Sequence, residues 1–204
     1  MQIKSFPLGL YEANCYIVTD ENTRECAVID PGDEASIVLN YIEQLNLTVK
    51  YIFLTHGHFD HVMAVNPVHE ETGARVCLHP ADNRTDIMNT FVPPDDTIWI
   101  SDGDEFTVGS MTFRVMETPG HTPGSVCWRC GEALFTGDTL FRDSMGRTDL
   151  PGGDMAQIMK SLKKLQALPG EFEVYPGHMD STTMSRERAF NYYLRYAAEM
   201  QPMA

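Results

Sequence analysis

Positive charge is scarce in this 204-residue sequence, where 15 Lys and Arg stand against 29 Asp and Glu for a formal charge of −14. Such a surface repels phosphate backbones and anionic lipid headgroups, so binding nucleic acid or a membrane surface requires a local basic patch. None is found. The densest basic stretch, Lys160, Lys163 and Lys164, has helical spacing and reads as a solvated face. Long apolar runs are missing too: no segment reaches the roughly 18 uninterrupted apolar residues of a membrane span. Glu12 and Asn14 interrupt the N-terminal stretch before it attains signal-peptide length. Cysteine is sparse and odd in number (Cys15, Cys26, Cys77, Cys127, Cys130), which is expected of free thiols in a reducing cytoplasm. Repeats, low-complexity tracts and linkers are absent, and the length is that of one domain, expected to span 1–204.

What is present alternates between two periodicities. Asn14 to Val18 and Cys26 to Ile29 are β-rich runs around the polar turn Asp20-Glu21-Asn22-Thr23, a hairpin signal. From Glu34 to Leu45 apolar residues recur at helical spacing; Val49 to Leu54 reads as a strand buried on both faces. A helix is predicted from about Asp60 to Thr72, closed by Gly73, then a strand over Arg75 to Leu78. Asp82 to Asp96 is mixed and Pro-containing. Strands follow at Asp104 to Val108, Met111 to Met116, Ser125 to Arg129 and Ala133 to Thr136. A helix over Asp154 to Leu168 has Asp154 as its cap and Pro169-Gly170 as its stop; Phe172 to Tyr175 is a last strand and Met184 to Met200 a last helix. The order predicts a layered α/β protein with mixed sheets covered by helices.

The chemistry concentrates where strands end. Thr55-His56-Gly57-His58-Phe59-Asp60-His61 follows a buried strand and packs four potential metal ligands into one loop. In extended chain residues two apart point the same way, so His56 and His58 can grip one metal, while Asp60 and His61 turn toward a second position. His121 lies between two Thr-Pro-Gly runs, Asp138 follows a strand through Gly137, and His178 follows one through Pro176-Gly177. Five imidazoles and two carboxylates exceed the four ligands of a tetrahedral zinc and fit two metals sharing a carboxylate. His69 and His79 fall outside this pattern and read as ordinary, His69 on an exposed helix face. Cys127 and Cys130, three apart in a strand, face opposite ways and read as structural thiols rather than a redox pair. No Gly-x-Ser-x-Gly elbow occurs to support a serine-hydrolase route.

The run His56-Gly57-His58-Phe59-Asp60-His61, with His121, Asp138 and His178 in that order, resembles the signature of the metallo-β-lactamase superfamily. Gly137-Asp138-Thr139-Leu140-Phe141, Gly146-Arg147-Thr148-Asp149 and Tyr175-Pro176-Gly177-His178 resemble its glyoxalase II group, the hydroxyacylglutathione hydrolases, in their short single-domain bacterial form. The resemblance implies an αββα sandwich of two mixed sheets flanked by helices, with the site at one edge. It assigns His56, His58 and His121 to one metal, Asp60, His61 and His178 to a second, and Asp138 to the bridge. It further implies that Asp30 supports the ligand loop and that Arg147 contacts substrate, although Arg147 also reads as a surface residue paired with Asp143 or Asp149, and Asp30 as a turn residue. The implied cofactors are two divalent cations, zinc first, with iron or manganese also compatible with these ligands. The implied activity is hydrolysis of a hydroxyacyl thioester such as S-lactoylglutathione, with Asp60 and Asp138 as the catalytic carboxylates. The alternatives are a mono-iron persulfide dioxygenase and a lactonase of the same superfamily.

Overall fold

The central strands need two covered faces, because runs such as Ala13–Thr19 and Ala133–Gly137 are buried at every residue. In the computed structural model, which describes residues 1–200, they are stacked between helices to provide that cover. The first half of the chain runs β1 (Gln2–Leu8), β2 (Ala13–Thr19), β3 (Glu25–Ile29), α1 (Ala35–Gln44), β4 (Thr48–Phe53), α2 (Phe59–Val62), α3 (Val65–Thr72), β5 (Arg75–Leu78) and β6 (Ile98–Trp99). The second half runs β7 (Glu105–Val108), β8 (Met111–Glu117), β9 (Val126–Cys130), β10 (Ala133–Gly137), β11 (Leu140–Phe141), β12 (Ser144–Met145), α4 (Met155–Gln166), β13 (Glu173–Pro176), β14 (Thr182–Thr183), α5 (Met184–Phe190) and α6 (Tyr192–Glu199). One sheet has the order β1-β2-β3-β4-β5-β6 and the other β14-β13-β10-β9-β8-β7, with β11 and β12 as a separate hairpin. Both sheets are mixed: β3 to β6 pair in parallel, as do β10 and β13, and the other pairs are antiparallel.

Strand alternation sorts the side chains into three apolar layers. Along β2, Cys15 and Ile17 face α1 and α3, while Tyr16 and Val18 face the second sheet. Phe53 of β4 stacks on Trp128 of β9 with ring centroids 4.0 Å apart, filling the space between the sheets. Beneath the second sheet, Leu134 and Val174 meet Ile158, Leu162 and Leu165 of α4 and Leu194 of α6. The architecture is the αββα sandwich of two mixed sheets. Cys127 points to the α4 layer and Cys130 between the sheets, so the two cysteines do face opposite ways, and burial pushes both thiols up to about 11. All five cysteines are buried and unpaired in disulfides. No described helix is long and apolar enough to cross a membrane.

The structure differs from the sequence expectation at two helices and at strand β1, and the two-residue strands β6, β11, β12 and β14 have no counterpart in that expectation. The helix expected over residues 60–72 is two, because Ala64 donates its N–H to the Pro31 carbonyl and leaves the helical ladder between α2 and α3. The helix expected over residues 184–200 also breaks in two. Asn191 sits between α5 and α6 in extended backbone, its side-chain oxygen accepting from Tyr193 N and Leu194 N as the cap of α6. Strand β1, which has no counterpart in the sequence expectation, forms as an edge strand along the whole of β2.

Asn191 also ties the C-terminal helices to the β11–β12 hairpin. Its amide donates to the Phe141 and Ser144 carbonyls and to the carboxylate of Glu187, itself fully buried. Asn191→Ala removes a cap and leaves those buried carbonyls without donors. Urea unfolding of the variant is expected to show a loss of about 2–4 kcal/mol.

Candidate metal centre

The parallel strands all point their carboxyl ends at one edge, where open α/β sheets place their ligands. Thr55 to His61 leave β4, Asp30 leaves β3, Asp138 leaves β10, His178 leaves β13, and His121 lies in the β8–β9 connection. Close backbone approach makes the convergence possible. A Cβ on Gly177 would lie 2.3 Å from Asp138 Oδ1, and one on Gly32 would lie 1.9 Å from the Asp60 carbonyl oxygen.

Hydrogen bonds decide which ring nitrogen of four of these histidines faces inward. The Nδ1 of His121 lies 2.8 Å from the Arg147 carbonyl and that of His178 lies 3.1 Å from the Tyr11 carbonyl. Carbonyls only accept, so both Nδ1 atoms carry a proton, and in the neutral ring each Nε2 presents a lone pair. Asp30 accepts from Thr55 N at 2.8 Å, from Thr55 Oγ1 at 2.6 Å and from His61 Nδ1 at 3.1 Å. Because the Thr55 hydroxyl proton goes to Asp30, its oxygen accepts from His56 Nδ1, 3.0 Å away. Four imidazoles are therefore held from behind with Nε2 forward, as in histidine metal ligands braced by carboxylates or carbonyls. His58 brings Nδ1 to within 2.9 Å of His121 Nε2.

The inward atoms form two groups. His56, His58 and His121 are one; Asp60, His61 and His178 are the other, with His61 Nε2 and His178 Nε2 3.3 Å apart and Asp60 Oδ2 3.3 Å from the latter. Asp138 lies between them, Oδ2 being 3.4 Å from His121 Nε2 and 3.7 Å from His178 Nε2, and Oδ1 3.5 Å from His61 Nε2. Buried lone pairs facing one another require a proton or cation between them, and His56 Nε2 and Asp138 Oδ1 have no hydrogen-bond partner. The donor set fits divalent cations on this ground.

The two groups are electrostatically unlike. Burial, reinforced by neighbouring imidazoles, pushes His56 well below its usual pKa and His58 down to about 4. In the second group burial alone would depress His61, but Asp138, Asp30 and Asp60 outweigh it and raise it to about 9. Burial likewise opposes ionisation of Asp60, yet the His178 hydrogen bond and the charges of His61 and His178 hold it at about 2. His178 is raised by Asp60 and Asp138 against its burial.

One residue that braces the site was missed in the sequence. Asp82, buried at the end of a single 3₁₀ turn (Pro80–Asp82), accepts from Gly57 N at 2.8 Å and Thr122 Oγ1 at 2.7 Å through Oδ2, and from Gly124 N at 2.9 Å through Oδ1. It thus ties the His56–His61 loop to the His121 loop. Its only local signal was an ordinary Pro-x-Asp turn. Arg147 lies exposed at the rim, held by two 2.7 Å hydrogen bonds to Asp149, one of the two partners foreseen for it. His69 is half-buried rather than exposed, its Nδ1 donating to the Ala74 carbonyl, and His79 faces Glu117 at 3.1 Å. Above the cluster opens a cavity of about 540 Å³ walled by Phe59, Met88, Phe141, Met145 and Leu150.

Two outcomes are expected. The proton on His61, whose pKa lies at about 9 without metal, must leave when a cation enters. Zinc titration calorimetry at pH 7 in buffers of different ionisation heat should show release of about one to two protons per chain, with affinity rising as pH rises toward 9. Asp82→Ala should weaken metal affinity about 10–100-fold, measured by chelator competition, with the secondary structure retained by circular dichroism.

The model of the metallo-beta-lactamase superfamily matches residues 8–178. Hydroxyacylglutathione hydrolase GloC of Haemophilus influenzae is 32% identical over 211 residues, covering 95% of this chain and 98% of that protein. The crystal structure of the BLEG-1 B3 metallo-beta-lactamase is 34% identical with a TM-score of 0.84, covering 95% of this chain and 99% of that one. That of TTHA1623 in a di-iron-bound form is 37% identical with a TM-score of 0.82, covering 93% and 99%. With the fold, the histidine-carboxylate cluster and the family match in agreement, this chain belongs to the metallo-beta-lactamase superfamily.

Proposed function

We propose that this protein is a dinuclear metal-dependent thioester hydrolase that cleaves a hydroxyacyl thiol of the S-lactoylglutathione kind to the hydroxy acid and the free thiol. The observation that supports this reading most directly is the position of Asp138 between two imidazole groups. His56, His58 and His121 would hold one cation and Asp60, His61 and His178 the other, with Asp138 shared. Such a pair, when bound, activates water near neutral pH and polarises the acyl carbonyl.

The chain's own residues do the positioning. The Nδ1 hydrogen bonds of His56, His61, His121 and His178 fix the ring orientations before substrate arrives, so little reorganisation is needed in the reaction. Asp60, held ionised, and Asp138 are the carboxylate oxygens placed to take or pass a proton at the reacting centre. Phe59, Phe141 and Met145 wall the cavity against bulk water. The one serine or threonine among the described lining residues, Ser144, turns its hydroxyl to the Met145 carbonyl and has no imidazole partner, so it is not an activated nucleophile. A thiolate leaves without a strong general acid, which suits a cavity lined by carboxylates rather than by lysine.

The relative named as a hydroxyacylglutathione hydrolase supports the substrate class. The di-iron form of the TTHA1623 structure supports keeping iron beside zinc as the native metal. The protein purified from metal-replete medium should carry about two divalent cations per chain by mass spectrometry and hydrolyse S-lactoylglutathione. Asp138→Ala should lose cation and at least about 100-fold in kcat/KM. Full activity in that variant would sink the proposal. Oxygen uptake with a persulfide and no thioester cleavage would instead assign the mono-iron dioxygenase reaction.

A further inference from the structure

Three hollows meet at Tyr11. The metal cavity is one. A second, of about 230 Å³, lies beyond the Tyr11 and Phe59 rings, which pack edge-on with centroids 5.3 Å apart, and shares Tyr11, Phe59 and Asp60 with the first. Its wall is apolar: Leu8, Leu10, Tyr11, Phe59 and Met63. Leu10 is 90% exposed and Met63 58% exposed, so this wall offers water two large aliphatic side chains beside a reactive centre. The loop that carries Leu10 is anchored. Tyr11 O accepts from His178 Nδ1 at 3.1 Å, and Gly9 N donates to Glu34 at 3.0 Å.

Charge at the rim narrows what fits there. The third hollow, of about 420 Å³ beside His178, presents Glu12 and Asp180, and the second presents Asp33. Among the described residues lining the three hollows, Arg147 is the one Arg or Lys, and its Nε and Nη2 already donate to Asp149. A tripeptide thiol bearing two carboxylates meets Asp33, Glu12 and Asp180 around these hollows and a single side-chain cation, Arg147, that is already paired with Asp149, whereas an uncharged apolar arm finds matching surface.

We infer that the hollow behind Tyr11 and Phe59 is a subsite for an uncharged, apolar arm on the thiol side of the substrate, and that the enzyme prefers such thioesters to those of glutathione. This rests on the hydrolase reading above. The test compares the metal-loaded protein on S-lactoyl thioesters of glutathione and of benzyl mercaptan, identical in acyl group. The benzyl thioester should show a kcat/KM at least about tenfold higher. Leu10→Ser combined with Met63→Ser should lower kcat/KM for the benzyl thioester about tenfold, the loss residing in KM. Leu10→Arg should raise kcat/KM for lactoylglutathione at least about threefold. A glutathione thioester cleaved as well as or better than the benzyl one, or a double variant that slows both equally, would overturn the subsite while leaving the hydrolase reading intact. Cleavage of neither thioester by protein carrying its metal overturns both.

Discussion

Everything at the active edge of this protein depends on where the histidine protons go. Four of the five clustered imidazoles, His56, His61, His121 and His178, turn Nε2 inward because each Nδ1 is committed elsewhere. The chain meets that condition with Thr55, Asp30 and two backbone carbonyls, those of Arg147 and Tyr11. Thr55 is the pivot: its hydroxyl donates to Asp30 and accepts from His56, so one side chain fixes two ring orientations indirectly and directly. Asp30 holds this position from a left-handed backbone conformation, with φ of 48°, that only a surrounding structure enforces. Removing the braces would leave the candidate ligand residues in place in the sequence and free to rotate.

The sandwich supplies the frame on which those braces are mounted. Strands β3 and β4 pair in parallel, which brings Asp30 and Thr55 side by side at their ends, and β10 and β13 do the same for Asp138 and His178. The two sheets are pinned together by Phe53 on Trp128, and the indole N–H donates to the Leu54 carbonyl, one residue before the ligand loop begins. Tyr16 reaches across to the Pro176 carbonyl at 2.6 Å, locking the first sheet to the His178 loop. Core packing and site geometry are thus one network, and a shift between sheets would move two ligand groups relative to each other.

The outer layer walls the cavity above the cluster. The β11–β12 hairpin, bound to Glu187 and Asn191, puts Phe141 and Met145 over the cluster, while the loop after β1 puts Leu10 and Tyr11 on the opposite rim. Neither wall contains a strong local signal. Asp82 and Asn191 illustrate why: a turn aspartate and a mid-helix asparagine are common residue types, and what distinguishes them is the set of distant N–H and C=O groups the fold delivers to their side chains.

Much of this was legible in one dimension. The alternation of Cys15, Tyr16, Ile17 and Val18, the density of His56, His58, Asp60 and His61, and the capping by Asp154 are local patterns, so short-range physics determined the layered fold and the candidate ligands. The splitting of two predicted helices was not legible, since Ala64 leaves its ladder for a carbonyl of residue 31 and Asn191 is held by carbonyls of residues 141 and 144. Likewise the bracing by Asp82, the capture of Arg147 by Asp149 and the apolar hollow at Leu10 exist only once distant segments meet. The sequence determined which atoms can bind and react, because residue chemistry is intrinsic. Only the tertiary structure decided which lone pairs converge and which charges are already spent, because those depend on hydrogen-bond partners far away in the chain.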